Sequence, residues 1–332
     1  MASGGATPIV HIGFPKAAST WFQKSFFPCV KSPRYVNRAL VNAALLDANA
    51  LTFDPAAALA TLGLTRGEAG ILSEEGLCGY QHNGGIDGIV TKEFAHRIKA
   101  TFPDARIVIM LRSQTSVIVS LYQQYIRAGG TFSATRFLFP KLYLQRPEVV
   151  TYKQPRFDVD FFLYSRIVAL YDDLFGRENV HVFLFEDFRR GGMDFLREFA
   201  AELRLNVDWE KVSLEPRLRG YGAPLAWIAR GLNLFTRRSV LDKHYLVNIP
   251  GWYRPRRKIL EALNRTGLFG KPPKLSDLIG KDAAGKLESH FARDNALLAE
   301  RRGLPLAELG YPMPAGQAES IAFKSDTVAI AE

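Results

Sequence analysis

Short, unbroken apolar runs bounded by glycine, proline and charged residues constrain this chain most. The runs at 8–12, 70–73, 105–111 and 180–185 are too short for buried helices and lack the alternation of half-exposed strands. They suit strands covered on both faces, as in a parallel sheet whose crossovers are helices. The segments between them carry helical spacing. Phe94, Ile98 and Phe102 share one face of a helix that Thr91 is expected to cap and that runs to Thr101. Further helices are expected over 115–127, ended by Gly129-Gly130, and over 161–175 and 193–203. Two short helices broken near 52–55 are expected within 37–62, and later ones over 223–235, 254–264 and 281–301. The fold class that follows is α/β: one domain with a central parallel β-sheet flanked by helices.

A chain of 332 residues, 47% hydrophobic and 23% charged, can bury a large core and has the composition of a globular protein. The expected domain covers 1–315, with a core over 8–205, mostly helical segments over 206–312, and a loosely held tail over 316–332. The net charge of +10 is uneven. Between Arg217 and Lys274 there are 13 Lys and Arg against 2 Asp and Glu, an excess of +11. Such a patch speaks of a partner rather than of the fold. No apolar run approaches the ~18 residues of a membrane span. The N-terminus lacks a basic segment followed by an apolar core, so a cytoplasmic location is expected. Cys29 and Cys78 are expected to stay reduced, and without a Cys/His cluster no metal is expected.

The strand ends are where chemistry gathers. After the first run the chain turns at Gly13 and Pro15, passes Lys16, and re-enters a helix at Ser19-Thr20-Trp21-Phe22. Strand, small-residue turn and helix leave backbone N–H groups pointing at one spot, and Lys16 beside them makes that spot attractive to a phosphate or similar anion. The arrangement is P-loop-like, but Gly-x-x-x-x-Gly-Lys-Ser/Thr does not fit: Pro15 precedes the lysine and the hydroxyls follow three and four residues later. Glu74-Glu75, Arg112 and Glu186 close the other runs. In parallel sheets ligands bind outside the carboxyl ends of the strands, where all of these groups would meet.

Gly13-x-Pro15-Lys16-x-x-Ser19-Thr20-Trp21 resembles the 5′-phosphosulfate loop of the sulfotransferases that use 3′-phosphoadenosine 5′-phosphosulfate (PAPS), Pro-Lys-Ser/Ala-Gly-Thr-Thr-Trp. Ala18 stands where that family has Gly, and an alanine is expected to keep φ below zero. Leu111-Arg112-x(7)-Ser120-x-Tyr122 resembles the family's 3′-phosphate site, with Ser113-Gln114 in place of Asn-Pro. Leu72-Ser-Glu-Glu-Gly-Leu77, the stretch from Phe175 to Phe188, and Leu287-x(3)-Phe291-x(3)-Asn295-x-x-Leu298 look like further family segments. The resemblance spans about 8–312 and is closer to the bacterial and Golgi-like carbohydrate enzymes than to those acting on phenols and steroids. It implies that Lys16, Ala17, Ala18, Ser19, Thr20, Trp21, Arg112, Ser120 and Lys274 bind PAPS or its product PAP. It also implies that Lys16 offsets charge on the bridging oxygen, and that Glu75 is the base, with Glu74 and His82 as alternatives. Trp21 is expected either to stack on adenine or to pack in the core.

The function expected is sulfuryl transfer to a hydroxyl of a carbohydrate, glycolipid or small metabolite. An ATP-dependent kinase and a nucleic-acid binder are the alternatives; no nucleic-acid-reading motif is present. Residues 217–274 are expected to meet an anionic acceptor or a membrane surface, with Arg256 and Arg257 in the exposed patch.

Overall fold

The apolar runs become neighbouring strands because each is buried on both sides. In the computed structural model, which describes residues 7–82, 84–143, 156–215, 220–238 and 243–315, β1 (Ile9–Gly13), β4 (Gly70–Ser73), β5 (Arg106–Leu111) and β6 (Val180–Leu184) lie in one sheet. A short β3 (Arg34–Tyr35) joins its edge, giving the order β3-β4-β1-β5-β6, with every pairing parallel. Registers such as Val10 opposite Leu72 and Ile107 opposite Val180 bring the four carboxyl ends to one edge. The strand order reverses around β1, which places the crevice for a ligand there. The expected tail 316–332 and parts of the two irregular segments, 144–155, 216–219 and 239–242, lie outside the described residues.

Alternate residues of each strand feed two cores, as the pleat requires. Val10, Ile12, Leu72, Ile107, Ile109 and Leu111 pack against the helices Ile89–Thr101, Gln114–Arg127 and Tyr164–Phe175. Ile9, Ile71, Val108 and Met110 face the helical run 19–29 and the helix Met193–Glu202 through Phe22, Phe26, Phe195 and Phe199. The helix Ile89–Thr101 starts two residues before the expected cap. Thr91 does not cap it, because its hydroxyl donates to Cys78 O at 2.9 Å from inside the helix. Two short strands invisible to apolar patterning, β2 (Val30–Ser32) and β7 (Asn206–Val207), pair antiparallel at the side. Cys29 and Cys78 are free thiols.

The C-terminal helices belong to the same hydrophobic core: Leu225, Leu260, Leu287, Phe291 and Leu298 are buried in the cluster that covers the first sheet face. Asn295, on the helix Lys281–Arg302, exchanges two hydrogen bonds with Gln114 (2.6 and 3.1 Å) at the start of the helix that follows β5. The expectation of an exposed Arg256 is corrected. Its side chain is wholly buried beneath the helix Tyr253–Arg265, where it donates to Asn233 Oδ1 and, at 3.2 Å, to Arg127 O. Lys243 donates beside it to Gly129 O and Asn233 O. These cations cap the carbonyl end of the helix Gln114–Arg127, where the helix dipole favours positive charge. No helix among the described residues is long and apolar enough to cross a membrane.

His11 in β1 is fully buried, with Nδ1 2.8 Å from Ser73 Oγ and Nε2 unpartnered. Burial pushes its pKa down from 6.5 to about 4. The unfolded chain therefore binds a proton that the folded protein refuses between those values. Stability should be full above pH 6.5 and fall by about 3 kcal/mol as the pH drops to 4. His11→Gln should flatten that portion of a urea-denaturation pH series, and an unchanged slope would refute the assignment.

Candidate active site

The turn out of β1 sets the geometry. Gly13 has φ 117°, and a Cβ there would lie 3.3 Å from Glu75 Cα, so only glycine lets the β1 and β4 ends approach so closely. Phe14 N–H donates to Met110 O at 2.7 Å, pinning the turn to β5. Lys16 and Ala18 then take left-handed backbone, φ 65° and 66°. This corrects the expected negative φ at Ala18: the alanine adopts the conformation that glycine holds without cost. Ser19 Oγ donates back to Phe14 O at 3.2 Å. The N–H groups of Ser19 and Thr20 precede the first bonds of the helical run, which start with Trp21 N–H to Ala18 O.

Arg112, the first residue past β5, reaches across to this turn. Its Nη1 donates to Lys16 O at 2.8 Å and its Nε to Ser116 Oγ at 2.9 Å, while the guanidinium lies 4.6 Å from the Phe185 ring centroid. Burial lowers its pKa, and Glu186 opposes the shift from a distance. Ser120 lies one turn beyond Ser116 on the same helix face. Ser116 thus stands between the two expected phosphate ligands. The signal for it was the four-residue spacing Arg112, Ser116, Ser120, which the pattern centred on Ser120 passed over.

Lys16 is mostly withdrawn from water, and its ammonium makes no hydrogen bond or ion pair with any described residue. Burial lowers its pKa from 10.5 to about 8; Arg127 and Arg112 push the same way, and Glu75 pushes against them. Arg127, at the far end of the helix Gln114–Arg127, acts on Lys16 through its charge, while its guanidinium pairs with Glu261 at 3.3 Å and lies 5.5 Å from the Tyr221 ring centroid. Nothing in its local sequence marks it.

The two adjacent glutamates play different parts. Glu74 is 3% exposed, accepts from Gly76 N–H at 2.9 Å and pairs with Arg38 through both oxygens. It is a cap and a buried ion-pair partner. Glu75 is half-buried beside Gly13; it accepts from Gln23 Nε2 at 3.0 Å and lies 3.3 Å from Arg38 Nη2. Gln23 and Arg38 therefore orient Glu75, although neither carries a sequence signal. Glu186 accepts from Ser113 N–H (3.1 Å) and Tyr311 O–H (3.0 Å), a structural role below Arg112.

Other expected residues are placed elsewhere. Trp21 is buried against Phe22, Phe26 and Phe188, with its indole N–H unpartnered, so core packing is what the structure displays. His82 sits among Phe137 and Phe157 with Nδ1 unpartnered, and burial lowers its pKa. Lys274 is exposed at the entry to the helix Leu275–Ile279, where its N–H donates to Asp277. Its ammonium makes no hydrogen bond to Ser120. Ala17 is buried, while Thr20 is half-exposed on the first turn.

No family model matches the sequence, and no curated protein does. Among solved structures, a sulfotransferase from Alicyclobacillus acidocaldarius is similar at 20% identity and a TM-score of 0.41, over 78% of this chain and 96% of that one. A likeness of that degree does not bear on reaction or substrate.

Two outcomes are expected of this geometry. A non-glycine residue in left-handed backbone costs about 1–2 kcal/mol, so Ala18→Gly should raise stability by about 0.5–1 kcal/mol after the entropy of glycine is counted; a loss in thermal unfolding would contradict the assigned φ. Anion affinity should follow the Lys16 proton. Calorimetry with PAP should give constant affinity up to pH 8, then a fall approaching tenfold per pH unit above it. Lys16→Met should be weak throughout and lack that inflection.

Proposed function

We propose that this protein transfers a sulfuryl group from PAPS to a hydroxyl acceptor of the carbohydrate, glycolipid or small-metabolite class, releasing PAP. The observation that carries the reading is the meeting of the β1, β4 and β5 ends: Arg112 donates to the carbonyl of Lys16 at 2.8 Å, the Lys16 ammonium has no hydrogen bond or ion pair among the described residues, and Glu75 lies against Gly13 at the same edge. That charge pattern suits an anionic donor beside a group that accepts a proton. A kinase of the Walker type would want a hydroxyl directly after the lysine, and the buried Ala17 stands there.

Each residue then has a defined part. Arg112 and the hydroxyls of Ser116 and Ser120 hold the 3′-phosphate, the guanidinium by its planar fork. The N–H groups of Ser19 and Thr20 hold the 5′-phosphosulfate at a helix start. Glu75 takes the proton from the acceptor hydroxyl as its oxygen bonds to sulfur. The bond between sulfur and the bridging oxygen breaks, its electron pair stays on the departing phosphate, and the Lys16 ammonium offsets that charge. Gln23 and Arg38 keep the carboxylate aimed, so little reorganisation is needed at the moment of transfer.

Glu75→Gln preserves shape but cannot accept a proton; kcat should fall about 10²–10⁴-fold with PAP affinity nearly unchanged. Lys16→Ala should lose about 10²–10³-fold in kcat and bind PAP more weakly as well. Glu74→Gln should instead cost about 1–3 kcal/mol of stability, because buried partners on Arg38 and Gly76 lose a charged acceptor, and should affect turnover less than Glu75→Gln. Wild-type protein should prefer PAP over adenosine 5′-phosphate by about 2–5 kcal/mol, a preference erased in Arg112→Ala. Equal affinity of wild type for both nucleotides would overturn the donor assignment. Full turnover in Glu75→Gln with a dead His82→Ala would move the base to His82.

A further inference from the structure

Ten of the nineteen large hydrophobic side chains exposed among the described residues fall between Trp227 and Leu268, the same stretch that carries the basic excess. They gather in space. The helix Ala223–Leu232 packs on the helix Tyr253–Arg265. The following segment is bonded alongside it, Leu246 N–H to Leu234 O at 2.8 Å and Ile249 N–H to Phe235 O at 3.1 Å. Trp227 is 64% exposed, Leu246 71% and Val247 57%, with Ile228, Phe235 and Ile249 also in water. Around them Arg237, Arg254, Arg257 and Lys258 are exposed, whereas Glu261, already paired with Arg257 and Arg127, is the acidic residue of this stretch among the described residues.

We propose that this face docks on an anionic lipid bilayer. Two observations favour that occupant. The protruding groups are aliphatic and indole side chains, which suit the boundary between headgroups and acyl chains. The surrounding charge is of one sign and complementary to anionic headgroups. Arg256, Asn233 and Lys243 brace the platform from beneath by holding the carbonyl end of the helix Gln114–Arg127. That same helix begins directly after Arg112 and the end of β5, so the platform is tied to the element that carries Ser116 and Ser120. The docking goes beyond the donor reading and stands without it.

Full-length protein should be sedimented with vesicles of equal parts phosphatidylcholine and phosphatidylglycerol, and with phosphatidylcholine alone. Binding should be at least about tenfold stronger to the anionic vesicles and should weaken with added salt, because exposed charges are screened. Leu246→Asp/Val247→Asp and, separately, Arg254→Glu/Lys258→Glu should each lose about tenfold or more while keeping the wild-type thermal transition. Trp227 fluorescence, read against a Trp227→Phe control, should shift to the blue only with anionic vesicles. Three results would each overturn the proposal: no sedimentation with anionic vesicles at low salt, equal sedimentation of wild type and Leu246→Asp/Val247→Asp, or vesicle-independent self-association that Leu246→Asp/Val247→Asp abolishes. Because none of these readouts uses PAP or turnover, failure here and failure of the donor reading are distinct.

Discussion

The hydrogen bond from Arg112 to the carbonyl of Lys16 holds the site together. Two non-glycine residues in left-handed backbone, Lys16 and Ala18, separated only by Ala17, are each costly and persist only where the surroundings over-determine them. Three contacts do so: Phe14 to Met110, Ser19 to Phe14, and Arg112 to Lys16. The last also fixes the guanidinium. One side of Arg112 is committed to the turn and another to Ser116, so its remaining orientation is dictated by the end of β5 rather than by solvent. The turn from one strand and the cation from its neighbour thereby define each other.

That mutual definition explains what was legible in the sequence and what was not. The four long strands are apolar runs, and burial on both faces writes itself directly into composition. Lys16, Glu75 and Arg112 were legible because each immediately follows such a run, and a parallel sheet delivers strand ends to one edge. Arg38 and Gln23 were not, because their partner Glu75 is 37 and 52 residues away and each is an ordinary polar residue in its own segment. The left-handed Ala18 was illegible for a different reason: backbone conformation there is imposed by tertiary contacts against the preference of the side chain. Arg256 could have been separated from Arg254, Arg257 and Lys258 by periodicity, since Leu260 one turn later marks the inward face of that helix.

The C-terminal third acts on the site through the long helix after β5. At its start, Gln114 is locked to Asn295 and through it to Pro312 O. At its end, four carbonyls from Ile126 to Gly130 are held by Asn233, Arg256 and Lys243. Both anchors are buried, where hydrogen bonds are less exposed to competition from water. Because Arg112, Ser116, Ser120 and Arg127 all ride on this one element or directly before it, pinning both ends fixes four groups at once. Covering segments that look remote in sequence are therefore part of the site's rigidity.

Buried charge in this molecule is handled in two distinct ways. Arg256 and Lys243 are surrounded by carbonyl oxygens, Arg97 donates to Leu45 O and Ala48 O, and Arg302 pairs with the buried Asp172. Each has oxygen partners in place, as buried cations require, although burial still lowers the pKa of Lys243 to about 8. Lys16 is the contrast. Burial lowers its pKa to about 8 as well, but its ammonium makes no hydrogen bond or ion pair with any described residue. A cation kept in that condition is a standing cost to the folded state, which loss of its proton or a bound anion relieves. Within the proposed transfer, the part of proton acceptor fits Glu75 better than His82. Glu75 is the carboxylate whose field reaches Lys16, whereas His82 lies among aromatic rings where burial works against protonation. In that proposal a group that must gain a positive charge in an apolar pocket is opposed by its surroundings, whereas Glu75 is oriented by Gln23 and Arg38.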